Sequence, residues 1–469
     1  MSHRLRKFVV VLLLVLIAVK TAAVLARGPV SIEMDAAGYW RLATSVMGGD
    51  LLMMDQPIAY RTPVYPWFVA AVRSVAGSQA LHWIVAIQGL LSVASIGIAA
   101  RLAKRITRLP LALPLTLVVS LPAMSAIVFS ATLLSESLFV FALMLNLSAM
   151  QSYYERETTT SAVWVGLTFA LTLLTRPIVL LLWIPHVIFV GMIHFRRWSM
   201  RRPLTAVGAK SNGLTMRGRV LHVLIAGGVT AAMVMPWLAR NQVMFGKPFL
   251  TEFVGRNLWV VTFQDGAGAG LVIPDSTSGN SLKARLDRVA VIEGRDATWV
   301  VSDGLVRSGL SDPQADQLMK AVAVEAIKKS PRAFAAKAVR RYVNVWRTRA
   351  TDLPVQGNPG QFFGQATWQE PMPLVDGMLR YRASNMLWAS TALMILIAIA
   401  TLSMVVHKPT RLQGLWLAMC FGYFTVITGS FEIPAYRYRM VLEPVAAAVV
   451  GAGLAIGLSK RTRAARPIS

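Results

Sequence analysis

The chain has 469 residues, 55% of them hydrophobic and 15% charged, with a mean hydropathy of +0.54, which excludes an ordinary soluble domain. Its formal charge of +26 would suit nucleic acid, but many of its basic residues lie in short segments between apolar runs, where they orient a membrane protein and meet anionic headgroups. A single cysteine, Cys420, excludes an intramolecular disulfide and a thiol metal cluster.

Apolar runs of about 20 residues recur, the length that crosses a ~30 Å hydrocarbon layer. The expected fold class is therefore an all-α polytopic membrane protein. About ten spans are read, near 8–26, 80–100, 110–130, 133–150, 161–175, 177–195, 220–238, 384–406, 412–430 and 440–458. A transmembrane barrel would instead show ~10-residue alternating segments.

The first span has a basic start and an apolar core. It reads as a membrane helix or as a signal peptide cleaved after Val24-Leu25-Ala26. Behind it comes Ser31-Ile32-Glu33-Met34-Asp35-Ala36-Ala37-Gly38-Tyr39-Trp40. Carboxylates beside hydrocarbon are costly to keep charged and are usually retained for chemistry or binding, so Glu33 and Asp35 are the first candidate site residues. The competing reading is a pair of solvated loop acids, or an N-cap for a helix beginning near Ala36. The rest of 27–79 mixes Trp40, Tyr60, Tyr65 and Trp67 with prolines, as in helices lying at headgroup depth.

Glu136 lies about one turn inside the fourth span, where it must be paired or neutral. It is placed to orient Arg61 or Arg176, to bind a substrate hydroxyl, or to bridge helices. The stretch 161–195 is too long for one crossing at 1.5 Å per residue, and Arg176-Pro177 breaks it into a hairpin. The expected inner segments then hold 21 basic residues, whereas the outer ones, the large segment aside, hold only Arg27, Arg41, Arg61, Arg73, Arg176, Arg437 and Arg439. By the positive-inside rule both termini are cytoplasmic.

The chain thus divides into three. Residues 1–238 form an N-terminal membrane module of about seven spans whose first outer loop is 27–79. Residues 239–383 form a small, mainly helical outer domain. Residues 384–469 form a C-terminal module of about three spans with a basic tail. Within the outer domain, Ser311-Asp312-Pro313 opens a helix to about Lys329, and Ser330-Pro331 opens another to about Thr348. The second carries Phe334, Ala338, Tyr342 and Val345 on one face and Arg340, Arg341 and Arg347 elsewhere, and rests on the membrane or on the spans. The Gly- and Asp-rich stretch 264–310 reads as loop.

Arg61, Arg176, Arg437 and Arg439 stand at outer span ends, where forked guanidinium donors suit a phosphate whose lipid tail stays in the bilayer. Snorkelling to ordinary headgroups explains any one of them equally well. All six histidines lie in spans or inner segments, which disfavours a zinc or Ser-His-Asp site in the outer domain, and no phosphate-cradling or dinucleotide loop supports ATP-driven work.

Several short stretches together resemble the GT-C membrane glycosyltransferases, in particular the bacterial relatives of protein O-mannosyltransferases and the aminoarabinose transferases that modify lipid A. They are Met34-Asp35-Ala36-Ala37-Gly38-Tyr39 with Arg61-Thr62-Pro63-Val64-Tyr65-Pro66; Leu133-Leu134-Ser135-Glu136-Ser137-Leu138-Phe139; Leu174-Thr175-Arg176-Pro177; Ala239-Arg240-Asn241 with Phe245-Gly246; and Tyr436-Arg437-Tyr438-Arg439. The resemblance implies transfer of a sugar from a polyprenyl-phosphate carrier to a glycan, lipid or protein acceptor at the outer face of a bacterial inner membrane. Asp35 would be the catalytic residue, as base or as the group that positions the acceptor. Glu33, Tyr39, Arg61, Tyr65, Glu136, Arg176, Tyr436, Arg437 and Arg439 would contact substrate. Neither a cofactor nor a metal is required, since the carrier phosphate is itself the leaving group, and no nucleic acid takes part. Two alternatives stay open: a glycan ligase or polymerase using a diphosphate-linked oligosaccharide, and a transporter or flippase of lipid-linked glycans. The flippase would need polar residues deep within several spans and internal symmetry.

Overall fold

The structure is a computed structural model and describes residues 3–25, 32, 35–121, 130–199, 214–264, 271–347, 392–432 and 441–464. Its described secondary structure is entirely helical. The helices are α1 (His3–Leu25), α2 (Asp35–Met47), α3 (Val64–Ala76), α4 (Ala80–Thr107), α5 (Ala112–Ser120), α6 (Glu136–Arg156), α7 (Thr159–Thr175), α8 (Trp183–Ser199) and α9 (Met216–Phe245). There follow α10 (Val254–Trp259), α11 (Thr277–Arg288), α12 (Thr298–Arg307), α13 (Asp312–Lys329), α14 (Pro331–Arg347), α15 (Ala392–Val406), α16 (Arg411–Phe431) and α17 (Glu443–Ala464).

Helix falls within each of the ten expected spans, but five described stretches are both long and apolar enough to cross a membrane: Val64–Thr107, Pro177–Arg197, Met216–Phe245, Lys408–Phe431 and Glu443–Lys460. Thr159–Thr175 and Ala392–Val406 are apolar but shorter. The break at Arg176-Pro177 is present. Helix α7 stops at Thr175, Arg176 is extended, and a 3₁₀ turn over Pro177–Leu182 leads into α8, because the residue before proline disfavours the helical region.

In the bundle α4 packs against α6, α6 against α7, and α7 against α9, while α17 closes over α4 and α5. Close approach of α7 and α9 depends on Gly166, where an added Cβ would meet the Ala226 carbonyl oxygen at 2.5 Å. Lipid supplies no hydrophobic drive between helices, so small residues at such crossings gain stability through backbone contact.

Helices α10–α13 form a separate small core around Trp259, Leu282, Leu286, Val301, Leu305 and Met319. The expectation of loop over 264–310 is corrected here, since α11 and α12 lie inside it. Ser276 caps α11 by accepting from Gly279 N, and both helices are too short to show a clear repeat in sequence. Helix α13 begins with a capping box between Ser311 and Gln314 and proline in its first turn, as the Ser-Asp-Pro signal implies. Of its two expected supports, membrane or spans, helix α14 packs on a span, α16. Arg341, expected away from the apolar face, is buried. Its Nε donates to Gly429 O at 2.7 Å and its Nη1 to Val261 O at 3.1 Å, so the guanidinium acts as a staple between cap and bundle.

Candidate active site

Asp35 is the first residue of α2, where the helix dipole favours a carboxylate. Its Oδ1 lies 2.6 Å from Nη2 of Arg61, which arrives on the loop between α2 and α3. The Arg61 guanidinium lies 4.4 Å from the Tyr39 ring centroid and 5.2 Å from that of Tyr60. Burial opposes the charge on Arg61, yet Tyr39 and the Asp35 carboxylate outweigh it and raise its pKa. Burial likewise pushes the Tyr60 phenol up.

Tyr39 is buried edge-on against Tyr65, with ring centroids 4.6 Å apart, and its hydroxyl donates to Ser135 Oγ at 3.2 Å. Tyr65 donates to Gln88 Oε1 at 2.8 Å, and the Gln88 amide donates to the carbonyls of Ser130 and Thr132, each at 2.8 Å. Gln88 was not among the expected site residues. It stitches the irregular segment before α6 to α4 and so fixes where α6 begins. Glu136 accordingly opens α6 rather than lying a turn inside a helix.

Glu136 forms the second ion pair, its Oε1 2.6 Å from Arg176 Nη1; the carboxylate side chain is 0% exposed and the arginine 19%. Thr62 donates to Thr175 O at 3.0 Å, joining the neighbour of Arg61 to the neighbour of Arg176. Together with the Tyr39–Ser135 bond, this brings four of the expected residues, Asp35, Arg61, Glu136 and Arg176, to one end of the bundle. Tyr39 and Tyr65 support them from behind. Glu33, Tyr436, Arg437 and Arg439 lie outside the described residues.

The loop carrying Arg61 is held from two further directions that sequence reasoning did not assign. Arg240 is buried in α9 and donates to the carbonyls of Leu52, Met53, Gln56 and Ile58 at 3.2, 3.0, 2.6 and 3.1 Å, with Asn241 Oδ1 as its fifth acceptor at 2.7 Å. From the cap, Asp312 Oδ2 accepts from Ala59 N at 2.8 Å while its other oxygen pairs with Arg256. Arg256 is buried beside Asp316, which also accepts from the backbone of Gly255 and Arg256. Burial raises the Asp316 pKa in spite of those donors. Neither arginine carried a role in the sequence reading; Arg240 stood only in the Ala-Arg-Asn stretch.

An apolar cavity of about 360 Å³ opens between α7, α8 and α9. Its lining includes Phe169, Leu173, Leu180, Trp183, Thr230 and Val234, so it reaches residues only a few positions from Arg176. Deeper, His186 bonds Asn146 Oδ1 through Nε2 at 2.8 Å and accepts from Trp416 through Nδ1 at 3.3 Å, and Asn146 in turn donates to Thr168 Oγ1 at 3.2 Å. This deep polar set was not foreseen, and its groups bond mainly to one another. Among the described residues no three His, Cys, Asp or Glu side chains gather as a metal site.

No family model matches the chain, and no curated protein matches it. Solved structures do. It is similar to the oligosaccharyltransferase AglB of Archaeoglobus fulgidus, in complex with an inhibitory peptide and a dolichol-phosphate, at 13% identity and a TM-score of 0.47. That match covers 99% of this chain and 52% of AglB, so the chain spans about half of AglB's length. It is also similar to ArnT of Cupriavidus metallidurans bound to undecaprenyl phosphate, at 15% identity and a TM-score of 0.36, over 97% of this chain and 79% of ArnT. Both neighbours are GT-C membrane glycosyltransferases. At this level of similarity the function is read from the side chains.

Proposed function

We propose that the protein is a membrane glycosyltransferase that moves a sugar from a polyprenyl-phosphate carrier to a glycan, lipid or protein acceptor. One observation supports this best: two arginine–carboxylate pairs, Asp35–Arg61 and Glu136–Arg176, share one end of the bundle, in a molecule whose apolar cavity is lined by Leu173 and Leu180, either side of Arg176 in the chain. Arginines at the rim of hydrocarbon grip a phosphate, while an apolar channel receives the first isoprene units of its tail. The described chemistry needs no nucleotide sugar and no metal.

In this reading the donor phosphate lies at Arg61 and Arg176, joined by Arg437 and Arg439 of the resemblance. The acceptor hydroxyl gives its proton to Asp35 as its oxygen bonds the anomeric carbon. The bond from that carbon to the phosphate oxygen breaks, its electron pair staying on the phosphate, where the arginines stabilise the growing charge. A single displacement inverts the anomeric centre. Positive-inside reasoning places this end of a ten-span molecule at the periplasmic face of a bacterial inner membrane, with both termini cytoplasmic.

The test is direct. Purified protein supplied with polyprenyl-phosphate sugars and a mixed acceptor extract should release free carrier phosphate. Asp35→Asn should lower turnover by about 10²- to 10⁴-fold, the range of a lost general base. Equal turnover by the variant would remove Asp35 from the chemistry.

A further inference from the structure

The two ion pairs differ in a way that bears on the order of events at this site. Glu136 is 0% exposed, and breaking a buried ion pair is costly, so the Glu136–Arg176 pair is fixed. Asp35 is 30% exposed and Arg61 15%, so this pair meets water and its separation is cheap. Arg61 also has other supports, the faces of Tyr39 and Tyr60, which keep the guanidinium in place without the carboxylate. Asp35 for its part opens α2, whose dipole continues to favour its charged form. The removable partner of Arg61 is therefore the acid.

We propose that Asp35 holds the donor-phosphate position on Arg61 and that an arriving carrier phosphate exchanges with it, releasing the carboxylate to face the acceptor. This inference rests on the reading of the site as one for a polyprenyl phosphate, and it makes the transferase donor-first. While Asp35 is paired to Arg61, the guanidinium takes one of its two oxygens and holds the carboxylate against the arginine rather than toward an acceptor hydroxyl. Carrier binding both fills the site and activates the base, so acceptor hydroxyls and water are not deprotonated before a donor is present.

The experiment measures equilibrium binding of sugar-free polyprenyl monophosphate to the detergent-solubilised full chain, as wild type, Asp35→Asn, Arg61→Gln and the double variant. Asp35→Asn should bind about fivefold more tightly than wild type, the size of one part-exposed ion pair. Arg61→Gln should bind at least tenfold more weakly. In the Arg61→Gln background, adding Asp35→Asn should change affinity by less than about twofold. An equal gain in both backgrounds would overturn the exchange, because the carboxylate would then act on the phosphate by simple repulsion. Unchanged or weaker binding by Asp35→Asn, repeated with Asp35→Ala to exclude a fold defect, would overturn it too. The outcomes separate from the transferase reading: wild type that shows the predicted cycle yet transfers no sugar keeps the exchange and loses the activity, and wild type that fails to bind the carrier loses the exchange.

Discussion

Thr62 and Thr175, 113 residues apart in the chain, are joined by a 3.0 Å hydrogen bond from the Thr62 hydroxyl to the Thr175 carbonyl. Each stands one position from an arginine of the candidate site, so this bond ties the loop of Arg61 to the end of α7 where Arg176 follows. Replacing Thr62 with Val keeps the shape and removes the donor. A net hydrogen bond is worth about 1 kcal/mol of stability, so the variant should lose about that much, and with the Arg61 loop less firmly tied to α7 its kcat/KM for the donor should also fall. Steady-state kinetics on the full chain check this.

The Glu136–Arg176 pair should respond asymmetrically to mutation. Arg176→Gln leaves a fully buried carboxylate without its ion-pair partner and should destabilise the bundle by about 3–5 kcal/mol. Glu136→Gln leaves a part-exposed arginine that reaches water, and should cost less than half as much. Thermal unfolding of the two variants in the same detergent compares them, and equal losses would contradict the burial difference.

Arg240 spends every guanidinium donor on neutral oxygens, four of them carbonyls of residues 52–58. Lysine has fewer donors and no fork, so Arg240→Lys should fail to rescue what Arg240→Met loses. Both variants should release the loop, read as faster hydrogen exchange over residues 50–60 than in wild type. Exchange rates unchanged by Arg240→Met would show that the loop is held by the cap alone.

Gly255 offers a test of the cap. An added Cβ would lie 1.8 Å from the Asp316 carbonyl oxygen, so α10 and α13 can touch only where no side chain intervenes. Gly255→Ala should push the two apart, disturb the Arg256–Asp312 pair and loosen Ala59, with a loss of about 1–3 kcal/mol. Limited proteolysis should show cleavage between residues 271 and 310 that wild type resists.

The two carboxylates were legible from sequence because charge in an apolar setting stands out by itself, and the Arg176-Pro177 break because proline acts locally. What the sequence could not show was partnership. Nothing near Arg240 announces that its acceptors are backbone oxygens some 180 positions earlier, since those oxygens are common to every residue. Gln88 is one polar residue in an apolar run, and its partners, Tyr65 and the carbonyls of Ser130 and Thr132, come from other parts of the chain. Arg341 faces the bundle because a carbonyl on α16 and another before α14 await it, which periodicity within α14 cannot reveal. Helices α11 and α12 escaped notice for the opposite reason: their signals are local but only two or three turns long.

The phenol ring of Tyr60 belongs to two neighbourhoods at once, with Arg61 and Arg256 both 5.2 Å from its centre. Like a washer between two bolts, it transmits play from either side. A tilt of the cap that moved Arg256 would be felt at Arg61 through this one ring, with no rearrangement of the spanning helices.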